Sequence, residues 1–311
     1  MTDQFWSNTV NGVTIGAIYA LIALGYTLVY GVLRLINFAH SEVFMVGIFG
    51  SLFALHAIGV DTGHAPLSGL GLAGALLVMV LGGMLFAGVL AVGLERLAYR
   101  PLRKRGAPRL AFLITAIGAS LFIQELVSLR YGAEAIPFPR VMEKSTVFKL
   151  FDATVRSDRL LVFASAVVLM IALDRFVNGT RLGRGIRAVA QDVEAAQLMG
   201  VNVTRIIMVT FLLGGLLAGA AGALYGVFFE TVRYNFGFIP GIKAFTAAVL
   251  GGIGNVRGAL LGGLLLGLLE SYGASYLGGK WTDVFAFTML VVVLMVRPTG
   301  LLGENLGRAR A

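Results

Sequence analysis

The stretch KAFTAAVLGGIGNVRGALLGGLLLGLLESY, residues 243–272, is a long apolar block with a glycine-rich, polar interruption near its middle. A helix needs about 20 apolar residues to cross a hydrocarbon core, so this block is long for one simple span. The interruption, GGIGNVRG at 251–258, predicts a pair of shorter segments or a re-entrant half-helix. The choice between them changes how many times the chain crosses a membrane.

The rest of the chain is also rich in apolar residues. Hydrophobic residues make up 58% of the 311 residues and charged residues only 13%, about half the charged share of a soluble domain. None of the apolar blocks shows the alternating pattern of barrel strands. We therefore predict an all-α, polytopic transmembrane helix bundle of about eight to nine spans, with one or two broken helices, forming a single transmembrane domain over 1–311. The other apolar blocks are 9–33, 43–60, 67–94, 110–129, 160–177, 206–229 and 283–296.

Basic residues predict the orientation. The segment 95–109 holds six arginines or lysines, and 178–205 is also basic, so both should be cytoplasmic. Counting back puts 34–42 at the cytoplasmic side and the N-terminus outside. Eight simple crossings would leave the C-terminus outside, although Arg297, Arg308 and Arg310 argue for the inside.

The sequence lacks the motifs of several functional classes of protein. Without cysteine there is no disulfide or thiolate metal site, and His40, His56 and His64 show no metal-binding spacing. No Walker A motif is present, so the chain should not bind ATP through its own P-loop. The net charge of +9 is explained by cytoplasmic loops beside lipid rather than by nucleic acid. No clustered catalytic set is visible, which predicts a protein that is not an enzyme and binds neither cofactor nor metal.

The loop 178–205 contains a predicted cytoplasmic helix. Helix-forming residues run from Ile186 to Met199, and Gly200 follows in the position of a C-cap. This helix is too short and too polar to cross a bilayer. It is either an ordinary interfacial helix or a docking element.

Three stretches resemble the permeases of branched-chain amino-acid ABC transporters. They are NGVTIGAIYALIALGYTLVYGVLRLINFAHSE near the N-terminus, EAAQLMG at 194–200, and FTAAVLGGIGNVRGALLGGLLLGLLE at 245–270. The second is similar to the EAA-x-x-x-G coupling loop of ABC importers. The three occur in the expected order over nearly the whole chain, and the chain resembles the shorter, first type of permease.

The resemblance implies a partner for each task. A homologous second permease would complete the path in the inner membrane. Two cytoplasmic ATPases would hydrolyse ATP, and an extracytoplasmic binding protein would deliver the substrate. The residues implied to contact an ATPase are Glu194, Ala195, Ala196 and Gly200. The family commonly has glycine after the histidine of NFAH, whereas this chain has Ser41, which leaves the geometry of that turn open.

Polar residues in apolar surroundings are costly unless they pair or line water. We therefore predict that two breaks adjoin the path, at Asn37, His40 and Glu42 and at Gly252, Gly254 and Asn255. Arg34 and Arg257 are better explained as loop or helix-end residues.

Three alternatives remain at this level. The same family pattern serves urea and short amides, so the substrate stays open. An ion-coupled secondary transporter would need acidic residues buried within spans, and Glu42, Glu125 and Glu270 lie near predicted span ends. A membrane enzyme would need the catalytic cluster that is missing.

Overall fold

The computed structural model describes residues 2–150, 153–297 and 299–303. Over these residues the chain is a helical bundle, as predicted. Eight helical segments are long and apolar enough to cross a membrane, and a shorter one lies between the sixth and the seventh of them. The helices are α1 (Thr2–Leu33), α2 (His40–Ala57), α3 (Gly69–Leu94), a π-helical turn (Glu95–Tyr99), α4 (Arg100–Lys104), α5 (Arg109–Tyr131), α6 (Ser157–Gly179), α7 (Arg181–Gln191), α8 (Val193–Leu198), α9 (Val203–Phe229), α10 (Phe238–Gly251), α11 (Val256–Leu277), a 3₁₀ turn (Gly279–Trp281) and α12 (Thr282–Val296).

The long apolar block divides into two helices. The first, α10, ends at Gly251, and α11 begins at Val256. Between them Gly252 and Gly254 have φ angles of 105° and 98°, which side chains with a Cβ rarely adopt. With 14 residues, α10 is about 21 Å long and does not reach across a full hydrocarbon core. The predicted broken helix is confirmed as a pair of shorter segments.

The loops predicted to be cytoplasmic meet at one end of the bundle. The Arg34 guanidinium donates to the carbonyls of Ala190 and Gln191 at 3.3 and 3.0 Å. The break after α10 is at this end too, because the Arg257 side chain lies 3.9 Å from Asp174, near the end of α6.

The described C-terminal residues are also at this end. The amides of Leu301 and Leu302 donate to carbonyls at the end of α10 at 2.8 and 3.0 Å. The segment between α9 and α11, which includes the short α10, returns the chain from the outer end to this end. As a result α12 brings Arg297 to the predicted cytoplasmic side, in agreement with its positive charge. Arg308 and Arg310 lie outside the described residues.

The opposite end carries two short ribbons of strands in the predicted outer segments. Strand β1 (Ile136–Pro137) pairs antiparallel with β4 (Thr231–Val232), with Ile136 opposite Val232. Strands β2 (Thr146–Leu150) and β3 (Ala153–Arg156) form the other antiparallel pair. Loop 130–159 is therefore folded onto the connection after α9.

Glycines set the packing of the central helices. A Cβ at Gly12 of α1 would lie 2.8 Å from the backbone of Leu268, and one at Gly16 would lie 2.8 Å from the Gly263 carbonyl. A Cβ at Gly215 of α9 would lie 2.8 Å from a backbone carbonyl of α3. Helix backbones therefore approach closely within the subunit.

Candidate functional site

The break between α1 and α2 is buried. The chain leaves α1 at Leu33, turns at Arg34 with a φ of 52°, and enters α2 at His40. Asn37, His40 and Glu42 are only 3%, 2% and 0% exposed. These three residues therefore lie inside the bundle and not in a solvated loop.

A tyrosine that the sequence pattern did not reveal holds Asn37. The Tyr99 hydroxyl donates to Asn37 Oδ1 at 2.6 Å, and the Tyr99 side chain is itself buried. Tyr99 ends the π-helical turn Glu95–Tyr99. Such turns inside α-helices often mark functional positions, and this one fastens α3 to the break.

Glu42 has an asymmetric environment. Its Oε1 accepts from Gln124 Nε2 at 2.8 Å, from Ser120 Oγ at 3.1 Å and from Ser41 Oγ at 3.2 Å. Its Oε2 is buried and has no hydrogen-bond partner among the described residues. The Ser41 hydroxyl also lies 2.7 Å from the Phe38 carbonyl, so its single proton serves one acceptor at a time.

His40 lies in a tight apolar site. Its ring meets Tyr26 edge-on at a centroid distance of 4.6 Å, and a Cβ at Gly25 would collide with the imidazole. His40 Nε2 is buried without a hydrogen-bond partner in the described part of the chain. That part also holds no group of three His, Cys, Asp or Glu side chains that could bind a metal.

The second break is clamped by the end of the described chain. Asn255 Oδ1 accepts from the amides of Arg257 and Gly258 at 3.0 and 3.1 Å, which caps α11. Asn255 Nδ2 donates to the Leu302 carbonyl at 2.9 Å. Gly252 packs against the backbone of residues 302–303, and Gly254 lies near Gly31 of α1. The structure places this break against α1 and the 299–303 segment, with no hydrogen bond to Asn37, His40 or Glu42 among the described contacts.

The predicted cytoplasmic helix is divided, and the prediction of one helix from Ile186 to Met199 was wrong. Asp192 separates α7 from α8 and has extended backbone angles. Its Oδ1 accepts from the amides of Glu194 and Ala195 at 2.9 and 3.1 Å. Aspartate satisfies these end amides better as an N-cap than it could in a helix interior, so a new helix begins here.

The four predicted contact residues differ in exposure. Glu194 and Ala195 are exposed, and Gly200 has a left-handed φ of 81° that reverses the chain into α9. Ala196 is only 4% exposed, because α8 packs this face against the rest of the subunit. Ala196 therefore supports α8 from within, and in this structure it offers no surface to a partner.

Two apolar residues of α8 and its end were not singled out from the sequence. The exposed fractions of Leu198 and Met199 are 89% and 85%. Beside them is a cleft of about 460 Å³ that is lined by Arg181, Arg184 and Arg205. The cytoplasmic end thus presents apolar side chains next to positive charge.

An ion cluster within the bundle was also missed. Lys243 of α10 lies 2.8 Å from Glu270 Oε1 of α11 and 2.7 Å from Asp283 Oδ1 of α12. Glu270 is seven residues before the end of α11, so the expectation that it lies near a span end was wrong. A lysine inside an apolar block was the signal that could have revealed the cluster.

Comparison with known proteins identifies the family. A model of the branched-chain amino acid transport system permease component matches residues 8–294. The chain belongs to this permease family. It is 41% identical to the high-affinity branched-chain amino acid permease LivH of Escherichia coli K12, over 98% of both chains. It is 42% identical to BraD of Pseudomonas aeruginosa, over 97% of this chain and 96% of that one.

A solved structure supports the fold. An inward-facing ABC transporter of the metal-chelate type has a TM-score of 0.52 to this chain at 17% identity, over 92% of this chain and 86% of that one. The family match and the eight apolar helices together identify this permease as a multi-pass protein of the inner membrane. Its relatives are transport permeases and not enzymes.

Proposed function

We propose that this permease forms, with a homologous second permease, the path of an ATP-driven importer for branched-chain amino acids. The observation that carries the proposal is the match of the family to residues 8–294, together with relatives of 41% and 42% identity that carry this substrate class in their names. These relatives favour branched-chain amino acids over urea or short amides.

The energy would come from other chains. Two cytoplasmic ATPases would bind and hydrolyse ATP, and an extracytoplasmic binding protein would deliver the amino acid. This chain would bind no cofactor and catalyse no reaction of its own. Its task would be to open the path alternately to the two sides of the membrane.

The helix α8 is the proposed ATPase contact. Leu198 and Met199 would enter an apolar groove, with Glu194 and Ala195 beside them on the exposed surface. Gly200 permits the sharp return into α9 because its φ is 81°. Asp192 and Gly200 fix the two ends of α8. Movement of an ATPase would therefore shift α8 as a rigid body and move α7 and α9 with it.

The break between α1 and α2 is the proposed moving part beside the path. Asn37, His40 and Glu42 are buried there, and the absence of a hydrogen-bond partner for Glu42 Oε2 among the described residues supports a role in contacts that this subunit alone does not complete. Gly252, Gly254 and Asn255 would act as a hinge between α10 and α11. Discontinuous helices of this kind commonly expose polar groups to a path.

The test uses a substitution on α8 with a conservative control. Leu198→Asp should abolish ATPase association and uptake of leucine, because the charge would have to be buried in the groove. Leu198→Met keeps an apolar side chain and should retain both activities. Copurification of the ATPases with the two variants measures association, and leucine uptake by cells measures function. Normal association and uptake of Leu198→Asp would refute the coupling role of α8.

A further inference from the structure

The ion cluster of Lys243, Glu270 and Asp283 joins the last three helices in the outer half of the bundle. Ser271, next to Glu270, donates to the carbonyl of Asn8 at 2.8 Å, which places this part of α11 beside the N-terminal turns of α1. The N-terminus is at the predicted outer end. The cluster is thus on the side from which a binding protein would deliver substrate.

The charges of the cluster do not balance. One ammonium group, on Lys243, faces two carboxylates, so the cluster carries one excess negative charge. Glu270 Oε2 is buried and makes no hydrogen bond of good geometry among the described residues, although the buried Tyr19 hydroxyl interacts with the same carboxylate. A carboxylate oxygen in this position is costly unless a donor or cation reaches it. The free oxygen therefore favours a positively charged donor.

The three members differ in exposure. The side chains of Lys243 and Glu270 are 6% and 12% exposed, whereas that of Asp283 is 49% exposed. Asp283 is thus the least enclosed of the three, and it is the carboxylate that another carboxylate could most readily replace on Lys243. Lys243 and Glu270 are held by the packing of α10 against α11.

Other buried carboxylates in the described part of the chain lack this combination. Asp158 is paired with Arg156 and Lys144 together. Glu95 is paired with Arg103 and also has a buried Oε2 without a hydrogen-bond partner, but no second carboxylate shares its cation among the described ion pairs. Glu42 accepts three hydrogen bonds from uncharged donors and has no cation beside it. The Lys243 cluster alone among them offers a fixed cation, a buried free oxygen and a carboxylate that can be displaced.

We propose that Lys243 and Glu270 bind the charged head of an α-amino acid as it enters the permease. The substrate ammonium group would donate to Glu270 Oε2, and the substrate carboxylate would replace Asp283 on Lys243. The proposal rests on the proposed function and adds the residues that recognise the zwitterion. It explains how a molecule with two charges is accepted inside an apolar bundle.

The test compares Glu270→Gln with Asp283→Asn in the complete transporter in proteoliposomes. Glu270→Gln keeps the shape of the side chain and removes its charge. It should raise the KM for leucine uptake about ten-fold or more, the cost of a lost charge-assisted hydrogen bond. The yield of assembled complex should stay near the wild-type value, because the substitution removes a contact to substrate and leaves the shape of the side chain intact. Asp283→Asn frees Lys243 for the substrate and should leave the KM unchanged or lower.

The outcomes separate three explanations. An unchanged KM in Glu270→Gln would overturn the proposal. Parallel losses of assembly, ATP hydrolysis and uptake in both variants would also overturn it, because they are expected of a purely structural ion cluster. If the wild-type complex hydrolyses ATP with its binding protein but takes up no leucine, the proposed function itself fails.

Discussion

At the scale of single residues, buried polar side chains fasten the α1–α2 break to the helices around it. The bond from Tyr99 to Asn37 Oδ1 is short, and both side chains are almost fully buried. A buried acceptor that loses its donor keeps the cost of desolvation without the compensating bond. The stability of the break should therefore depend on both partners being present.

Tyr99→Phe tests this dependence. The substitution leaves Asn37 Oδ1 unpaired and should destabilise the protein by about 1–3 kcal/mol. Asn37→Leu in the Tyr99→Phe background removes the stranded acceptor and should recover part of the loss. Thermal unfolding of the purified protein and its variants measures the effect. Strictly additive effects of the two substitutions would show that the bond contributes no coupling energy.

A second residue-scale prediction concerns Glu230 at the outer end. Burial alone would raise its pKa, but the hydrogen bond and charge of Lys144, with the charge of Arg140, hold the pKa below the ordinary value. A depressed carboxyl pKa contributes stability that is present above the unfolded-state pKa and is lost as pH falls through the folded-state pKa. Stability should thus fall below about pH 4.5, and this acid loss should be smaller in Glu230→Gln. The melting temperatures of the wild-type protein and of Glu230→Gln across a pH series test this prediction. An identical loss of stability at acid pH in the two proteins would contradict it.

At the scale of helices, the sequence could predict where apolar blocks are but not which of their faces meet. The glycines of 251–258 correctly predicted the division of the long block. In contrast, the α7–α8 division depends on a single capping aspartate, Asp192, inside a segment of good helix formers. The burial of Ala196 depends on how α8 rotates against the subunit, which only tertiary packing decides.

Close packing of glycines gives an element-scale prediction. A Cβ at Gly219 of α9 would collide with the Gly83 carbonyl of α3, so Gly219→Ala should cost about 1–3 kcal/mol by overpacking. Gly118→Ala on α5 is the matched control, because a Cβ added there would meet no atom within 4 Å and alanine favours a helix. Melting temperatures of the two variants should move in opposite directions. A stable Gly219→Ala protein would show that α3 and α9 can separate.

At the scale of the whole molecule, the structure predicts which segments face each side of the membrane. The chain has no native cysteine, so single cysteines can be labelled without background. Gly63→Cys should react with an impermeant thiol reagent in intact cells. Arg105→Cys and Leu301→Cys should react only after the membrane is opened, because the segment between α9 and α11 returns the chain to the cytoplasmic end and gives nine passages in all. Labelling of Leu301→Cys from outside would contradict that count.

The candidate site was only partly predictable for physical reasons. Asn37, His40 and Glu42 could be found because polar residues in apolar runs are costly and need a reason. Tyr99 and Lys243 could be recognised only with their partners, which are 62 and 27 residues away along the chain. Leu198 and Met199 look like ordinary core residues in the sequence, and only their exposure suggests the docking role proposed for them.

Leucine uptake into proteoliposomes that hold the complete complex, with ATP inside and binding protein outside, decides whether separate ATPases drive this permease to import branched-chain amino acids. We predict accumulation that requires both ATP and binding protein and is lost with Leu198→Asp. Accumulation driven by a sodium or proton gradient without ATP would contradict the claim.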